Sequence, residues 1–232
     1  MINNDLNLDH WRHALTQSSR VQIPDFLQSS AAQAFASELT EQVPWQFAER
    51  SEGAPRTSPR GAYPDDAQYA RLLQSGYRHA AESYQFAYDS YMLVKASKEA
   101  WDPELLVHGM LHFLNTPQFI EFARYLANDT SISHTTAQCT RYRPGHYLMP
   151  HEDLDADEGR RYAFVINLSH EWQPDWGGQL QFLDADGHVA ETFLPRWNSL
   201  SLFRVPQRHQ VTLVAPWAAR SRHAITGWWL AK

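Results

Sequence analysis

The chain has one cysteine, Cys139, in 232 residues. A lone thiol forms no intrachain disulfide and cannot build a four-thiolate zinc site. No apolar run approaches the roughly 20 residues that span a bilayer. The opening Met1-Ile2-Asn3-Asn4-Asp5 lacks the basic-then-apolar pattern of a signal peptide. These absences lead to the expectation of a soluble protein in a reducing, cytoplasmic setting with no membrane partner. Positive charge is scarce as well: 20 Lys and Arg face 26 Asp and Glu, for a net charge of −6. Non-specific affinity for a polyphosphate comes from clustered cations, so DNA is not an expected partner. What is present is apolar mass: 43% hydrophobic and 13% aromatic residues, with nine Trp. That composition belongs to a packed globule rather than a disordered chain, and its length fits one domain over 1–232.

Two textures divide the chain. The first ~130 residues read as mostly helical support. Leu8 to Leu15 reads as a short amphipathic helix, and Val21-Gln22-Ile23-Pro24 is briefly extended. Ser29 or Ser30 can cap a helix from Ala31 to about Gln42, and 66–98 reads as one or two further helices. Thr116-Pro117 is a helix start that joins a capping hydroxyl to a proline whose missing N–H costs nothing there. Phe119, Ile120, Phe122, Ala123 and Leu126 form the stripe that follows, and Asn128-Asp129 ends it. The breaker-rich run 51–61 reads either as an exposed loop or, with its neighbours to 64, as a lid over a pocket. From 131 to 232 the pattern becomes short strands, at 136–143, 146–151, 161–168, 179–183, 188–193, 199–204, 209–214 and 222–230. Asp186-Gly187 between two of them is a hairpin signal. Eight short strands in about 100 residues predict two facing antiparallel sheets, a jelly-roll-like barrel core buttressed by the N-terminal helices.

His151, Asp153 and His209 are the candidate chemistry. Two imidazoles and a carboxylate occupy half of an octahedral shell, the arrangement that holds reactive non-haem Fe(II). Residues two apart on a strand project from one face, so His151 and Asp153 can reach one ion. With 12 His and 14 Asp in the chain, roughly one chance His-x-Asp is expected, and the acidic run Glu152, Asp153, Asp155, Asp157, Glu158 also reads as a solvated turn. Context is what distinguishes the two readings. Tyr142-Arg143-Pro144-Gly145 leads into the pair, an apolar strand follows from Arg160-Arg161, and Arg222 heads the last strand. Its planar, permanently charged fork suits the distal carboxylate of a 2-oxo acid chelated to the metal. Asn167 and Thr226 are further candidates for that carboxylate pocket. His108 and His112 lie one helical turn apart, but Gly109 stands where a zinc protease would need Glu, so a helix-face pair is expected. His146, His170, His188 and His223 are expected to be surface or half-buried, and Trp172, Trp176, Trp197, Trp217 and Trp229 to be core.

Taken in order, Tyr142, Gly145, His151-x-Asp153, Arg160-Arg161, Trp172, Gly177-Gly178, His209 and Arg222 resemble the Fe(II)/2-oxoglutarate-dependent dioxygenases. The likeness is to the prolyl-hydroxylase branch, and within it to the ribosomal prolyl hydroxylases. It covers about residues 139–230. It implies a double-stranded β-helix, iron ligation by His151, Asp153 and His209, and 2-oxoglutarate anchoring by Arg222, with O2 as second cosubstrate and ascorbate as reductant. Arg220 competes with Arg222 on spacing, while the run Arg222-x-x-Ile225-x-Gly227-Trp228 favours Arg222. Many relatives carry Ser where this chain has Ala224, which makes the Tyr142 hydroxyl a candidate cosubstrate contact. Trp228, at a family position facing the site mouth, and Arg160 are candidate substrate contacts. The eukaryotic ribosomal enzymes carry a second, degenerate barrel, whose docking role is expected to be absent or relocated in a sequence ending at Lys232. The resemblance implies a protein or peptide substrate, with a basic ribosomal segment attracted by the acidic run. Hydroxylation of a free amino acid or other small molecule, and a silent metal- and 2-oxo-acid-binding sensor, are the alternatives. A nucleic-acid demethylase fits less well, because that branch carries two arginines about six apart whereas Arg220 and Arg222 are two apart.

Overall fold

The computed structural model describes residues 1–50, 53–155 and 157–231. In chain order its elements are α1 (Leu8–Ser18), β1 (Arg20–Ile23), α2 (Ser29–Glu41), β2 (Gln46–Glu49), β3 (Arg56–Thr57), α3 (Asp66–His79) and β4 (Phe86–Tyr91). These are followed by α4 (Leu93–Lys98), α5 (Val107–Leu114), α6 (Pro117–Ala127), β5 (Ile132–Tyr142), β6 (Tyr147–His151) and β7 (Arg160–Asn167). A short 3-10 turn at Pro174–Trp176 precedes β8 (Leu180–Leu183), β9 (Val189–Phe193), β10 (Ser199–Arg204), β11 (His209–Val211) and β12 (Arg222–Ala231).

The strands form one antiparallel sheet in the order β1-β10-β7-β12-β5-β4-β6-β11-β8-β9, with β2 joining β4 and β3 from the side. Its two arms fold over each other. Phe182 of β8 packs on Phe203 of β10 with ring centroids 5.1 Å apart. The two edge strands are tied by Arg20 of β1, whose Nε donates to Glu191 of β9 at 2.5 Å. This is the expected double-stranded β-helix.

Strand alternation decides which residues meet the helices. On β12, Ile225 and Trp229 face outward and are fully buried, joining Phe164 and Ile166 of β7 and the helical residues Leu15, Leu39, Met110 and Phe119 in one core. Trp229 meets Phe119 edge-on at 6.1 Å. Helix α6 is held as its sequence predicts: Thr116 Oγ1 accepts the Phe119 N–H at 3.3 Å, Pro117 opens the helix, and Asn128 ends it in the left-handed region at φ 51°. Capping and a buried stripe act together there.

Several expectations need correction. Helix α2 begins at Ser29, and Gln28 occupies the cap position without a side-chain hydrogen bond, so neither serine caps it. The stretch 66–98 is not continuous helix. It contains β4, which pairs with both β5 and β6. Tyr84, Phe86 and Tyr88 alternate with Gln85, Ala87 and Asp89, a period of two that suits a strand. Residues 1–130 are therefore more than helical support, since β1 and β4 are integral to the sheet. His146 is fully buried, its Nδ1 accepting the Arg143 N–H at 3.1 Å and its Nε2 paired with the Tyr69 hydroxyl at 2.7 Å. His223 is buried too. Trp217, expected in the core, is 67% exposed. The Asp186-Gly187 hairpin is present, with β8 paired to β9. Of the run 51–64, residues 51 and 52 lie outside the described residues; Arg56–Thr57 pairs with Ala48 and Glu49, Arg60 ion-pairs with Asp102, and Tyr63 donates to Asp89 at 2.6 Å.

Candidate active site

The register of two short strands builds the first half of the site. His151, the last residue of β6, lies directly opposite His209, the first of β11, with imidazole centroids 4.3 Å apart. Asp153 sits just beyond the strand end rather than on it, yet returns its carboxylate to the same point. His151 Nε2 is 3.5 Å from one Asp153 oxygen, and His209 Nε2 is 3.6 Å from the other. Ligand atoms bonded at ~2.1 Å and at right angles to one metal stand about 3 Å apart, so modest tightening brings all three onto one ion.

Both rings are oriented for that purpose. His151 Nδ1 meets the Met149 carbonyl at 2.9 Å, and His209 Nδ1 meets the Gln207 carbonyl at 2.8 Å. A carbonyl only accepts, so each Nδ1 carries the proton and each Nε2 keeps its lone pair toward the shared point. Burial pushes the His209 pKa down to about 4, with His151 adding to the effect and Asp153 opposing it. Burial alone would raise the pKa of Asp153, but the adjacent His151 and His209 rings outweigh it and hold the group below the usual carboxylate range. The Trp228 indole N–H adds to that lowering without reaching standard hydrogen-bond geometry. The set is two imidazole nitrogens and one carboxylate oxygen.

The same cavity, about 290 Å³, extends inward to Arg222. Arg222 is 3% exposed. Its Nη2 donates to Asn167 Oδ1 at 3.3 Å, while Nε and Nη1 have no partner. No carboxylate pairs with it among the described residues. A buried, half-satisfied guanidinium is costly, and an entering carboxylate supplies the missing acceptors. The chemistry of the residues therefore fits a 2-oxo acid whose near end reaches the His-Asp-His point. Tyr142 is the register partner of Arg222, with its ring 5.3 Å from the guanidinium carbon. Burial raises its pKa, so the hydroxyl stays protonated and available as a donor. Glycine is favoured nearby: Gly178 has φ +61°, and a Cβ there would lie 3.2 Å from Trp172 and from Val214.

Thr226 lines the cavity, whereas Asn167 reaches it through Arg222 and is itself braced by Ser199 and Ser201 at 3.2 and 3.3 Å. Arg220 is not in this cavity; it pairs with Glu171 at 2.6 Å on the opposite side of the strand. Trp228 and Arg160 line the mouth together, the guanidinium 3.9 Å above the ring. Glu152 also lines it. The described part of 51–64 contributes no lining residue. Sequence reasoning missed the wall formed by Tyr84, Phe86 and Tyr88, whose period-two aromatic pattern was the available signal. His108 is absorbed structurally, bonding the Trp101 carbonyl at 2.9 Å.

Residues 137–230 match the 2OG-Fe(II) oxygenase superfamily. Among curated proteins, prolyl 3-hydroxylase OGFOD1 of Xenopus laevis is 32% identical over 120 residues, which is 47% of this chain and 23% of that protein. The chain thus covers less than a quarter of that relative. Among solved structures, a Pseudomonas putida prolyl-4-hydroxylase aligns over 97% of this chain and 99% of its own, with a TM-score of 0.62 at 19% identity. A Trichoplax adhaerens prolyl hydroxylase, in complex with a hypoxia inducible factor oxygen degradation domain peptide fragment, aligns over 97% and 89% with a TM-score of 0.56 at 15% identity. At these identities the structural likeness speaks for the fold, and the sequence match to the 2OG-Fe(II) oxygenase superfamily covers residues 137–230.

Proposed function

We propose that this chain is an Fe(II)- and 2-oxoglutarate-dependent dioxygenase that hydroxylates a prolyl residue in a protein or peptide. One observation carries the reading: three ligand-type atoms within 4.8 Å of one another share a cavity with a buried arginine whose Nε and Nη1 lack acceptors. A pure metal site has no use for the second feature. In this reading His151, Asp153 and His209 hold the iron. Arg222 receives the far carboxylate of 2-oxoglutarate, with Asn167 holding the guanidinium in place and Tyr142 and Thr226 completing the pocket. The bound iron, with 2-oxoglutarate and O2, supplies the oxidation of an unactivated C–H bond. The protein's own work is to orient the cosubstrate, keep the floor dry and present the target at the mouth. Trp228, Arg160 and the aromatic wall of Tyr84 and Phe86 are the groups that meet it.

The prolyl assignment rests on the names of the matched relatives. The exposed Glu152, Asp157 and Glu158 beside the mouth favour a basic segment, as in a ribosomal protein. Ascorbate as reductant, a cytoplasmic setting and one domain over 1–232 complete the proposal. Cys139, buried and unpaired, accords with that setting, and no helix among the described residues is long and apolar enough to cross a membrane.

Anaerobic addition of Fe(II) and 2-oxoglutarate should develop the weak visible charge-transfer band of the chelate, and His151→Ala should abolish it. With O2, a basic proline-containing peptide should stimulate succinate release and gain 16 Da on proline. Stimulation by free proline but not by peptides would shift the reading to a small-molecule hydroxylase; absence of the band would remove the oxygenase reading.

A further inference from the structure

The ladder between β5 and β12 serves two cavities. Its Tyr142–Arg222 step faces the site just described; the neighbouring step pairs Arg141 with His223 and, by strand alternation, faces the other way. There the two residues line a second cavity of about 480 Å³ between α2 and the sheet, together with Ser169, Arg220, Ser221 and Glu41. The cavity is built on polar groups that the fold leaves partly unused. His223 is 7% exposed, and its Nε2 has no hydrogen-bond partner. Arg141 commits Nε to the buried Asp89 at 2.7 Å and lies under the Trp45 ring at 5.0 Å, and its guanidinium lines the cavity. Arg220, half-exposed, spends one nitrogen on Glu171. Two guanidiniums, one paired with Asp89 and the other with Glu171, and an imidazole line the cavity with one further carboxylate, Glu41. Burial, and then Arg141, hold the His223 pKa down at about 4, so near pH 7 the imidazole is neutral and offers one N–H and one lone pair.

We infer that this outer cavity is a binding site for a small oxyanion, a carboxylate or a phosphate, held between Arg141 and Arg220 with His223 and Ser221 completing its hydrogen bonds. The forked guanidinium is the side chain best matched to such an ion, and the idle Nε2 of the buried His223 ring, packed 6.0 Å from the Trp45 ring, is placed to donate to it. The site is distinct from the iron cavity, being on the opposite face of the same ladder. Its test needs no metal and no turnover.

The probes are inorganic phosphate and acetate, titrated into the full metal-free chain at constant ionic strength, with chloride as the reference anion. The readout is the His223 imidazole NMR signal, assigned with His223→Gln. We expect a saturable shift with phosphate or acetate in the millimolar range, weakened about tenfold in Arg220→Gln by loss of one charge-assisted contact, and retained in Arg222→Gln, which alters only the inner cavity. Arg220 sits in an exposed ion pair, so its replacement leaves the fold intact. Saturation by the tighter of the two probes tells phosphate from carboxylate as the ligand class. A linear, unsaturated drift with both ions overturns the proposal. So does a shift that survives Arg220→Gln but vanishes in Arg222→Gln, because the anion would then sit beside the iron ligands.

Discussion

At the rim of the His-Asp-His cavity the His151 and Asp153 side chains stay 19% and 11% exposed, while at its floor Arg222 is 3% exposed, with two nitrogens unpartnered. The rim groups satisfy one another in part: two imidazoles and a carboxylate share one point, and each ring is fixed by a backbone carbonyl. The floor satisfies itself only through Asn167. In the proposed reading the rim takes and releases an ion from water, and the floor takes a charged group that must shed its water. Different substitutions should therefore damage the two ends in different ways.

The largest effect is expected at the rim. His209→Ala should reduce 2-oxoglutarate turnover by roughly 10³-fold or more, measured as succinate release, while the variant keeps the wild-type circular dichroism. Retained turnover would mean that His209 is not a ligand. At the floor, Arg222→Lys keeps the charge but loses the two-point grip, so KM for 2-oxoglutarate should rise by about 10- to 100-fold with iron affinity unchanged. Equal loss of both affinities would erase the distinction between rim and floor.

Behind these ends, His146 and His223 are packed as neutral rings with pKa values of about 4, burial being the main cause for each. Unfolded, each titrates near 6.5. Between these values the unfolded chain binds more protons, so stability is full above about pH 6.5 and falls as the pH drops toward 4. From pH 6.5 to 4.5 each ring should cost roughly 2 kcal/mol, read from urea midpoints, and His146→Gln should flatten that slope. A midpoint constant over this window would show that the rings are not held neutral. The smallest effect is expected at the outer lip. Arg160→Ala removes the stacking on Trp228 and should raise the peptide KM by about fivefold or less, leaving the 2-oxoglutarate KM untouched.

The legible parts of this fold had local causes. Thr116-Pro117 and Asn128 bound α6 by capping chemistry that lies within a few residues. The eight C-terminal strands repeat period-two patterns over segments long enough to read, and only the ends of β5 and β11 differ by several residues from their expected bounds. Strand β4 was missed because Tyr84, Phe86 and Tyr88 sit between helical segments, and a six-residue strand gains its stability from the slot between β5 and β6, not from its own sequence. The burial of His146 escaped notice for a similar reason: Tyr69, its partner, is 77 residues away.

At the site, residue identity and order made His151, Asp153, His209 and Arg222 the candidates, and the fold brings all four to one cavity. Pairing decided the rest. The His151–His209 register closes 58 residues of chain into one ligand point, and the ladder that turns Arg222 inward turns His223 outward. Arg220 and Arg222 are two residues apart in sequence and equal in charge; only the three-dimensional course of the chain at the start of β12 gives one of them the dry floor and leaves the other half in water. Side-chain chemistry is a property of the sequence, but desolvation and unmet hydrogen-bond capacity, which decide what those groups can hold, arise only when distant strands are brought together.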